Sequence, residues 1–330
     1  MTVSGPPSSA ELHKAVGALR AGGLVAFPTE TVYGLGADAS NPQAVRRVFA
    51  LKGRPETHPL IVHLHDAAQI DDWAVDVTPA ARRLAAAFWP GPLTLVLHRS
   101  SRVPDAVTGG QDTVALRIPS HPVARALLAA FGGGIAAPSA NRYGRVSATC
   151  AAHVREEFGD ALPVVLDGGD SDVGLESAIV SCVEDPPRLL RPGAITAAQL
   201  HAVAGGLAVG AAGGSPRVPG STRSHYAPST PVELVADAAL DTEAGQDLAA
   251  GRRVAVLARR PLPAGLRSVD WIDAGVDVAA YSHALYANLR ALDKRGCARI
   301  LVQTVPDEES WSAVRDRLSR AAARNDSASA

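Results

Sequence analysis

The sequence predicts a two-domain α/β protein, with a mixed sheet in the larger N-terminal domain and a largely parallel sheet in the smaller C-terminal one. Three observations carry this. Apolar runs of strand length alternate with stretches of helical spacing from Glu11 onward. Before residue 205 several strand candidates follow one another with too little chain between them for a crossover helix, which demands some antiparallel pairing. Finally, "GGLAVGAAGGSPRVPGSTRSHYAPST", residues 205 to 230, turns to Gly, Ser, Pro and Ala and reads as a linker.

Taken in order, "ELHKAVGALRAGG" puts Leu12, Val16 and Leu19 on one helical face and stops at glycines, and "LVAF" is a strand. "NPQAVRRVFAL" is a helix, "PLIVHL" a strand, "TPAARRLAAAFWPG" a helix, and "LTLVLH" and "VALRI" strands. "HPVARALLAAFG" is a helix, "GIAAP" a strand, and "AAHVREEFG" a helix with Ser147 or Thr149 as its cap. The strands "PVVLDGG", "SAIVSC" and "RLLRPG" and the helix "TAAQLHAVAG" complete the domain. Beyond the linker, strands "PVELVA", "RRVAVLA", "SVDWIDA" and "ARILVQTV" interleave with helices "AGQDLAAG", "VAAYSHALYANLRALDKRG" and "SWSAVRDRLSRAAA". The expected division is residues 1–208, a linker at 209–230, and 231–330, with no internal repeat.

Composition narrows the class of function. At 330 residues, 47% hydrophobic and 20% charged, the chain is long and apolar enough for a core that needs no disulfides. Its net charge of −1 lacks the basic excess of a protein whose main work is gripping phosphate backbones. Cys150, Cys182 and Cys297 are isolated, without C-x-x-C pairs, which favours a reducing cytoplasm over a structural metal. The N-terminal residues lack signal-peptide character and no run approaches a membrane span, so a cytoplasmic protein is expected.

The chemistry is concentrated in loops that follow strands. "PTETVYGLGADA", residues 28–39, crowds Pro, Thr, Glu, Tyr and two close glycines after "LVAF". Its "GLGADA" fits G-x-G-x-x-A, but Gly34 lies too far beyond Phe27, and the next helix begins too late, for a dinucleotide fingerprint. In "LKGRPETHPLIVHLH", Lys52 and Arg54 stand on a loop stiffened by Pro55 and Pro59, an arrangement suited to an anion, and Lys52 is one of only three lysines, with Lys14 and Lys294. His63 and His65 alternate onto one strand face, a weak metal pair. Arg117 sits among apolar strand residues and needs a partner, either an internal acid or a carboxylate from outside. "AAPSANRYGRVSAT" offers Ser139, Asn141 and Ser147 without a G-x-S-x-G elbow. "LDGGDSDVGLESAIVSC" is an acidic Gly-rich loop without calcium-loop spacing. "RLLRPGAIT" adds Arg191, and "SHYAP" sets His225 and Tyr226 in small-residue surroundings typical of lids.

Taken together, "FPTETVYGLGADA", "KGRP", "PLIVHL", "WPGPLTLVL", "VALRIPSHP", "APSANRYG", "GLESAIV", "LRPGAIT" and "SHYAP" resemble, in order, the YrdC-like threonylcarbamoyl-adenylate synthase family in its long two-domain form. The resemblance covers about residues 10 to 228 and implies a twisted mixed sheet with a large concave cavity, followed by a smaller Rossmann-like α/β domain. It implies conversion of L-threonine, bicarbonate and ATP, with Mg²⁺, to threonylcarbamoyl-AMP and pyrophosphate. Downstream it implies a tRNA threonylcarbamoyl transferase, with weak tRNA contact and no membrane. By position Thr31, His63, Arg117 and Ser177 resemble the threonine site. Arg54, His58, Thr113, Ser139, Asn141, Ser147, Arg191, His225 and Tyr226 resemble the ATP site, with Lys52 and Arg54 as the catalytic cations. The chain departs from the family pattern at Ala178, at Ala148 and at Thr222, Arg223 and Ser224 in the linker. The alternatives are an RNA-binding module of the same fold and a carbamoyl-transfer subunit of metallocentre maturation, the latter disfavoured by the absence of paired C-x-x-C motifs.

Overall fold

The computed structural model describes residues 7–220 and 226–323. The chain forms two compact units, residues 1–143 with 148–221, and residues 144–147 with 222–330. The first contains β1 (Val25–Phe27), β2 (Gly34–Asp38), β3 (Ile61–His63), β4 (Ala74–Val75), β5 (Leu93–Arg99), β6 (Thr113–Arg117), β7 (Ile135–Ala136), β8 (Ala178–Ser181), β9 (Arg188–Arg191) and β10 (Ala208–Val209). They join in one sheet of order β1-β2-β7-β3-β6-β5-β8-β9-β10, with β4 on β5. The sheet is mixed, as expected: β3 runs parallel to β6, and β5 antiparallel to β6 but parallel to β8. Its helices are α1 (Ser9–Arg20), α2 (Pro42–Lys52), α3 (Ile70–Trp73), α4 (Pro79–Phe88), α5 (Asp105–Thr108), α6 (Pro122–Phe131), α7 (Ala151–Phe158) and α8 (Ala197–Ala204).

Three local expectations change. "GLGAD" is a strand, not a loop: β2 pairs antiparallel with β1, Val25 opposite Gly36 and Phe27 opposite Gly34. Its glycines keep that strand flat, since a Cβ on Gly36 would stand 2.8 Å from both Phe27 Cε1 and Ile135 Cγ2. The spacing that imitates a dinucleotide loop is therefore a packing requirement of a strand. "PVVLDGG" is not a strand of its own; it makes a single parallel bridge, Val165 with Ala26. The N-cap of α7 is likewise Cys150, which makes no side-chain capping hydrogen bond, and Thr149 Oγ1 instead lies 3.4 Å from His153 Nδ1.

The main core lies where α2, α4 and α8 cover one side of this sheet, with Tyr33, Leu35, Leu64, Trp73, Leu84, Leu95 and Leu116 buried. A second cluster packs α1 and α6 on Phe27 and Ile135. A third and small one joins Ile61, Val96, Ala115 and Ile179 to Val218. This small cluster marks the sheet face that carries the polar residues discussed below.

The second unit is a four-stranded parallel sheet of β11 (Val232–Val235), β12 (Val254–Ala258), β13 (Asp270–Asp273) and β14 (Arg299–Gln303), in the order β11-β14-β12-β13. Its helices are α9 (Asp237–Ala249), α10 (Val278–Asp293) and α11 (Ser312–Ala322). Residues 144–147 are held within it: Ala227 N donates to Gly144 O at 2.9 Å, and Arg290 Nε to Ser147 O at 3.3 Å. Among the described residues no helix is long and apolar enough to cross a membrane. None of the three cysteines is in a disulfide.

Candidate active site

Strand register gathers the predicted residues of the first unit on one face. His63 lies beside Arg117, Ile61 beside Ala115, Val96 beside Ala115, and Thr94 beside Ile179. Because side chains alternate, Thr113, Ala115 and Arg117 share this face. Four residue steps along β6 separate Thr113 from Arg117, a span of about 13 Å. The face therefore has two polar ends with the small apolar cluster between them.

At the first end, where β3 and β6 finish, Arg117 is nearly enclosed, at 4% exposure. Its partner is the internal acid, Glu30: Arg117 Nη2 and Glu30 Oε1 are 2.7 Å apart. Arg117 Nη1 donates to Thr31 Oγ1 at 2.7 Å and Nε to Gly91 O at 3.3 Å. Glu30 Oε2 in turn accepts from Ser120 N at 3.1 Å. The loop from Thr29 to Val32 folds on itself to present these groups, with Thr29 Oγ1 2.8 Å from Thr31 Oγ1 and donating to Val32 O at 2.6 Å. His63 is buried edge-on against Phe27, and burial, then the Arg117 charge, pushes its pKa down to about 3. It is a neutral imidazole beside a cation. His65 has left the strand, and Arg125 Nη1 donates to its main-chain oxygen at 2.5 Å.

Ser177, also expected with threonine, lies at this end of β8. Its hydroxyl is 2.8 Å from Thr94 Oγ1. Arg191, expected with ATP, reaches the same serine: Nη2 donates to Ser177 Oγ at 3.2 Å and Nε to Ser177 O at 3.0 Å. A close approach makes this possible, since a Cβ on Gly193 would stand 2.2 Å from Ala178 N. The two expected residue sets thus interlock at Ser177.

At the opposite end, where β3 and β6 begin, α2 delivers Lys52. Asn41 caps α2 by accepting from Gln43 N and Ala44 N, Pro42 opens it, and Gly53 ends it with φ +65°. Lys52 therefore stands at the last helical position, buried, with Nζ donating to Ser139 O at 2.6 Å and to Asn141 O. Burial, then the charge of Arg54, holds its ammonium pKa well below the usual lysine range. Arg54 Nη2 donates to Pro59 O at 3.0 Å. His58 stands 5.5 Å from the Tyr143 ring, its pKa lowered by burial and by Arg54 and Arg217. Lys52, Ser139, Asn141, Arg54, His58 and Thr113 are thus brought to one end of the face.

A strap crosses the same face. Arg217 N donates to Gln111 Oε1 at 2.7 Å, Gln111 Nε2 donates to Arg217 O at 3.1 Å, and Arg191 Nη1 donates to Pro219 O at 2.9 Å. Between them Val218 is buried against Ile61, Val96, Ala115 and Ile179. The sequence placed a lid further on, at "STRSHYAP"; His225 and residues 221–224 lie outside the described residues. Ser147 and Tyr226 belong to the second unit. Ser147 is fully buried there. Tyr226, with φ +61°, stacks on Tyr286 at 5.8 Å and lies under the Arg317 guanidinium at 5.6 Å. Its ring is occupied in packing.

Sequence reasoning missed Glu30, Thr94 and the strap of Arg217 to Pro219. A signal for Glu30 was present: an internal acid was one of the two partners open to Arg117, and Glu30 is the one carboxylate between the strand and the glycines of "PTETVYGLG".

The family profile described as "Telomere recombination", Sua5_yciO_yrdC, matches residues 17–193, and that of the "Threonylcarbamoyl-AMP synthase, C-terminal domain" matches residues 195–323. The threonylcarbamoyl-AMP synthase of Bacillus subtilis is 38% identical over 325 residues, covering 94% of this chain and 93% of that protein. The enzyme of the same name from Pyrococcus abyssi is 39% identical over 323 residues, covering 94% of each. The crystal structure of P. abyssi Sua5 complexed with L-threonine superposes with a TM-score of 0.89 at 37% identity, again covering 94% of each chain.

Proposed function

The chain belongs to the Sua5/YciO/YrdC family, and on that premise we propose that it is an L-threonylcarbamoyladenylate synthase, joining L-threonine, bicarbonate and MgATP into threonylcarbamoyl-AMP and pyrophosphate. The observation that carries the reading at the level of the site is the charge contrast along one sheet face. At one end Arg117 is balanced by Glu30, an environment suited to an amino acid with no net charge. At the other, Lys52 is held by uncharged carbonyls next to Arg54, an environment suited to a polyanion.

Threonine binds with its carboxylate toward Arg117 and Thr31 and its ammonium toward Glu30, with neutral His63 alongside. Once the ammonium has lost a proton, the amine attacks the carbon of bicarbonate, and loss of water leaves a carbamate. A carbamate oxygen then attacks the α-phosphorus of ATP and expels pyrophosphate. Arg191, bonded to Ser177, stands where the two substrates meet, and Lys52 and Arg54 stabilise the charge on the phosphate chain. Lys52 has a third ammonium hydrogen for a phosphate oxygen beyond the two given to Ser139 and Asn141. Magnesium enters as part of the substrate, carried by the phosphates of ATP. No protein nucleophile is needed. Val218 and its strap keep water from a carbamate and an acyl-adenylate that both hydrolyse readily. The product passes to a tRNA threonylcarbamoyl transferase in the cytoplasm, with weak tRNA contact by this chain.

The test is pyrophosphate release from MgATP by the purified protein, omitting threonine and bicarbonate in turn, with the acyl-adenylate detected by mass. Release that requires both co-substrates is expected. Release indifferent to threonine overturns the reading.

A further inference from the structure

The second unit holds a polar cluster that the proposed reaction does not use. In open parallel sheets, ligands bind beyond the carboxyl ends of the strands. Here four residues converge on that edge. Arg259 follows the last residue of β12, Gln303 ends β14, Tyr281 lies in the first turn of α10, which follows β13, and Trp311 directly precedes α11, which follows β14. The Arg259 guanidinium lies over the Trp311 ring at 4.9 Å, and Tyr281 meets the same ring edge-on at 5.3 Å. Gln303 Oε1 accepts from Arg259 N at 2.7 Å and fixes the main chain there. The cluster is built, with its cation clamped on an aromatic plane.

Its polar atoms are not satisfied. Arg259 Nε and the Tyr281 hydroxyl are both buried, and neither has a hydrogen-bond partner among the described residues. Tyr281 is wholly enclosed. Many other arginines of this unit are paired with acids: Arg252 and Arg299 share Asp247, Arg253 and Arg295 share Asp270, Arg260 takes Asp237 and Asp241, and Arg317 and Arg320 share Asp316. A half-buried guanidinium without an acid, beside a phenol without an acceptor, is costly unless something supplies oxygen to both.

We propose that Arg259 and Tyr281 form a binding site for a small oxyanion, a phosphate or a carboxylate, separate from the substrate site of the first unit. The flat edge of the guanidinium offers two parallel N–H donors to such a group, and the phenol a third. A buried water would satisfy the phenol but would leave the guanidinium charge uncompensated.

Calorimetric titration of the full chain, saturated with a non-hydrolysable MgATP analogue to fill the substrate site, tests this with three probes: inorganic phosphate, pyrophosphate and acetate. One equivalent of saturable binding is expected for at least one of them, and the probe that binds identifies the source as phosphate-type or carboxylate-type. Affinity should fall tenfold or more in Arg259→Gln and three- to tenfold in Tyr281→Phe. A purely structural hydroxyl would lower the melting temperature of Tyr281→Phe; a ligand-directed one leaves it unchanged in the absence of anion, and shrinks the anion-induced rise in melting temperature. Absence of saturable binding by all three probes overturns the proposal. So does binding that is unchanged in both variants.

Discussion

At one end of β6 the guanidinium of Arg117 meets a carboxylate, whereas at the other the ammonium of Lys52 meets the carbonyl oxygens of Ser139 and Asn141. Both cations are buried, and both would be costly to leave bare. They are made tolerable in different ways: a neighbouring charge cancels the first, while carbonyl dipoles hold the second without supplying a counter-charge. The difference teaches that one sheet face can present a neutral subsite at one end and a cationic one at the other. A zwitterion and a nucleotide polyphosphate can then bind side by side without exchanging places.

The comparison is broken most severely by removing one half of the cancelling pair. Arg117→Leu leaves Glu30 buried with no guanidinium, and we expect a loss of about 3–5 kcal/mol in unfolding free energy together with loss of synthesis. Urea unfolding measures it; a loss below about 1 kcal/mol would mean that the pair contributes little charge compensation. At the other end Lys52→Met removes the charge but keeps the volume. Turnover should fall about 100- to 1,000-fold. Stability should fall by only about 1–3 kcal/mol, for two carbonyls left without their donor. If instead activity survived while stability collapsed, Lys52 would be a clamp on the 139–141 loop and nothing more.

Glu30→Gln sharpens the comparison because it converts the neutral end into a cationic one with little change in shape. The KM for threonine should rise about tenfold, the loss of one charge-assisted contact to the ammonium, with the KM for ATP unchanged. Inhibition by 3-hydroxybutyrate, which is threonine without its amine, should tighten in the same variant. Equal weakening of threonine and 3-hydroxybutyrate would show that Glu30 only holds Arg117 in place.

Much of this site was legible in the sequence, because its residues sit at the ends of strongly patterned strands. The apolar setting of "TVALRI" marked Arg117, and Lys52 follows directly on the helix of "NPQAVRRVFAL", whereas Thr31, His63, Thr113 and Ser177 came from the resemblance to the family. What was not legible depends on contacts between distant segments. No local pattern says that Gly34 and Gly36 clear space for Phe27 in a hairpin, so "GLGAD" read as a loop. No local pattern brings Arg191 across to Ser177, which depends on how β8 and β9 pair, or lays Val218 on Ile61 and Val96. Nor does an aromatic among small residues announce the packing partners of Tyr226, which are Tyr286 and Arg317.

The finest probe of the contrast is acid. His63 sits in register beside Arg117, and its pKa is pushed down to about 3 by burial and by that cation, against an ordinary value of 6.5. Between pH 6.5 and 3 the unfolded chain binds a proton at this histidine and the folded chain does not. Its contribution to stability is therefore present above pH 6.5 and is lost as pH falls, by up to about 1.4 kcal/mol per pH unit. His63→Gln is uncharged at every pH, so its stability, followed by urea unfolding from pH 7 to pH 4, should decline less steeply than that of the parent by this amount. Parallel curves would mean that His63 protonates in place, and a second charge beside Arg117 would then be tolerated. In that case Glu30 would have to balance more than one cation, and the neutral end would be neutral only near pH 7.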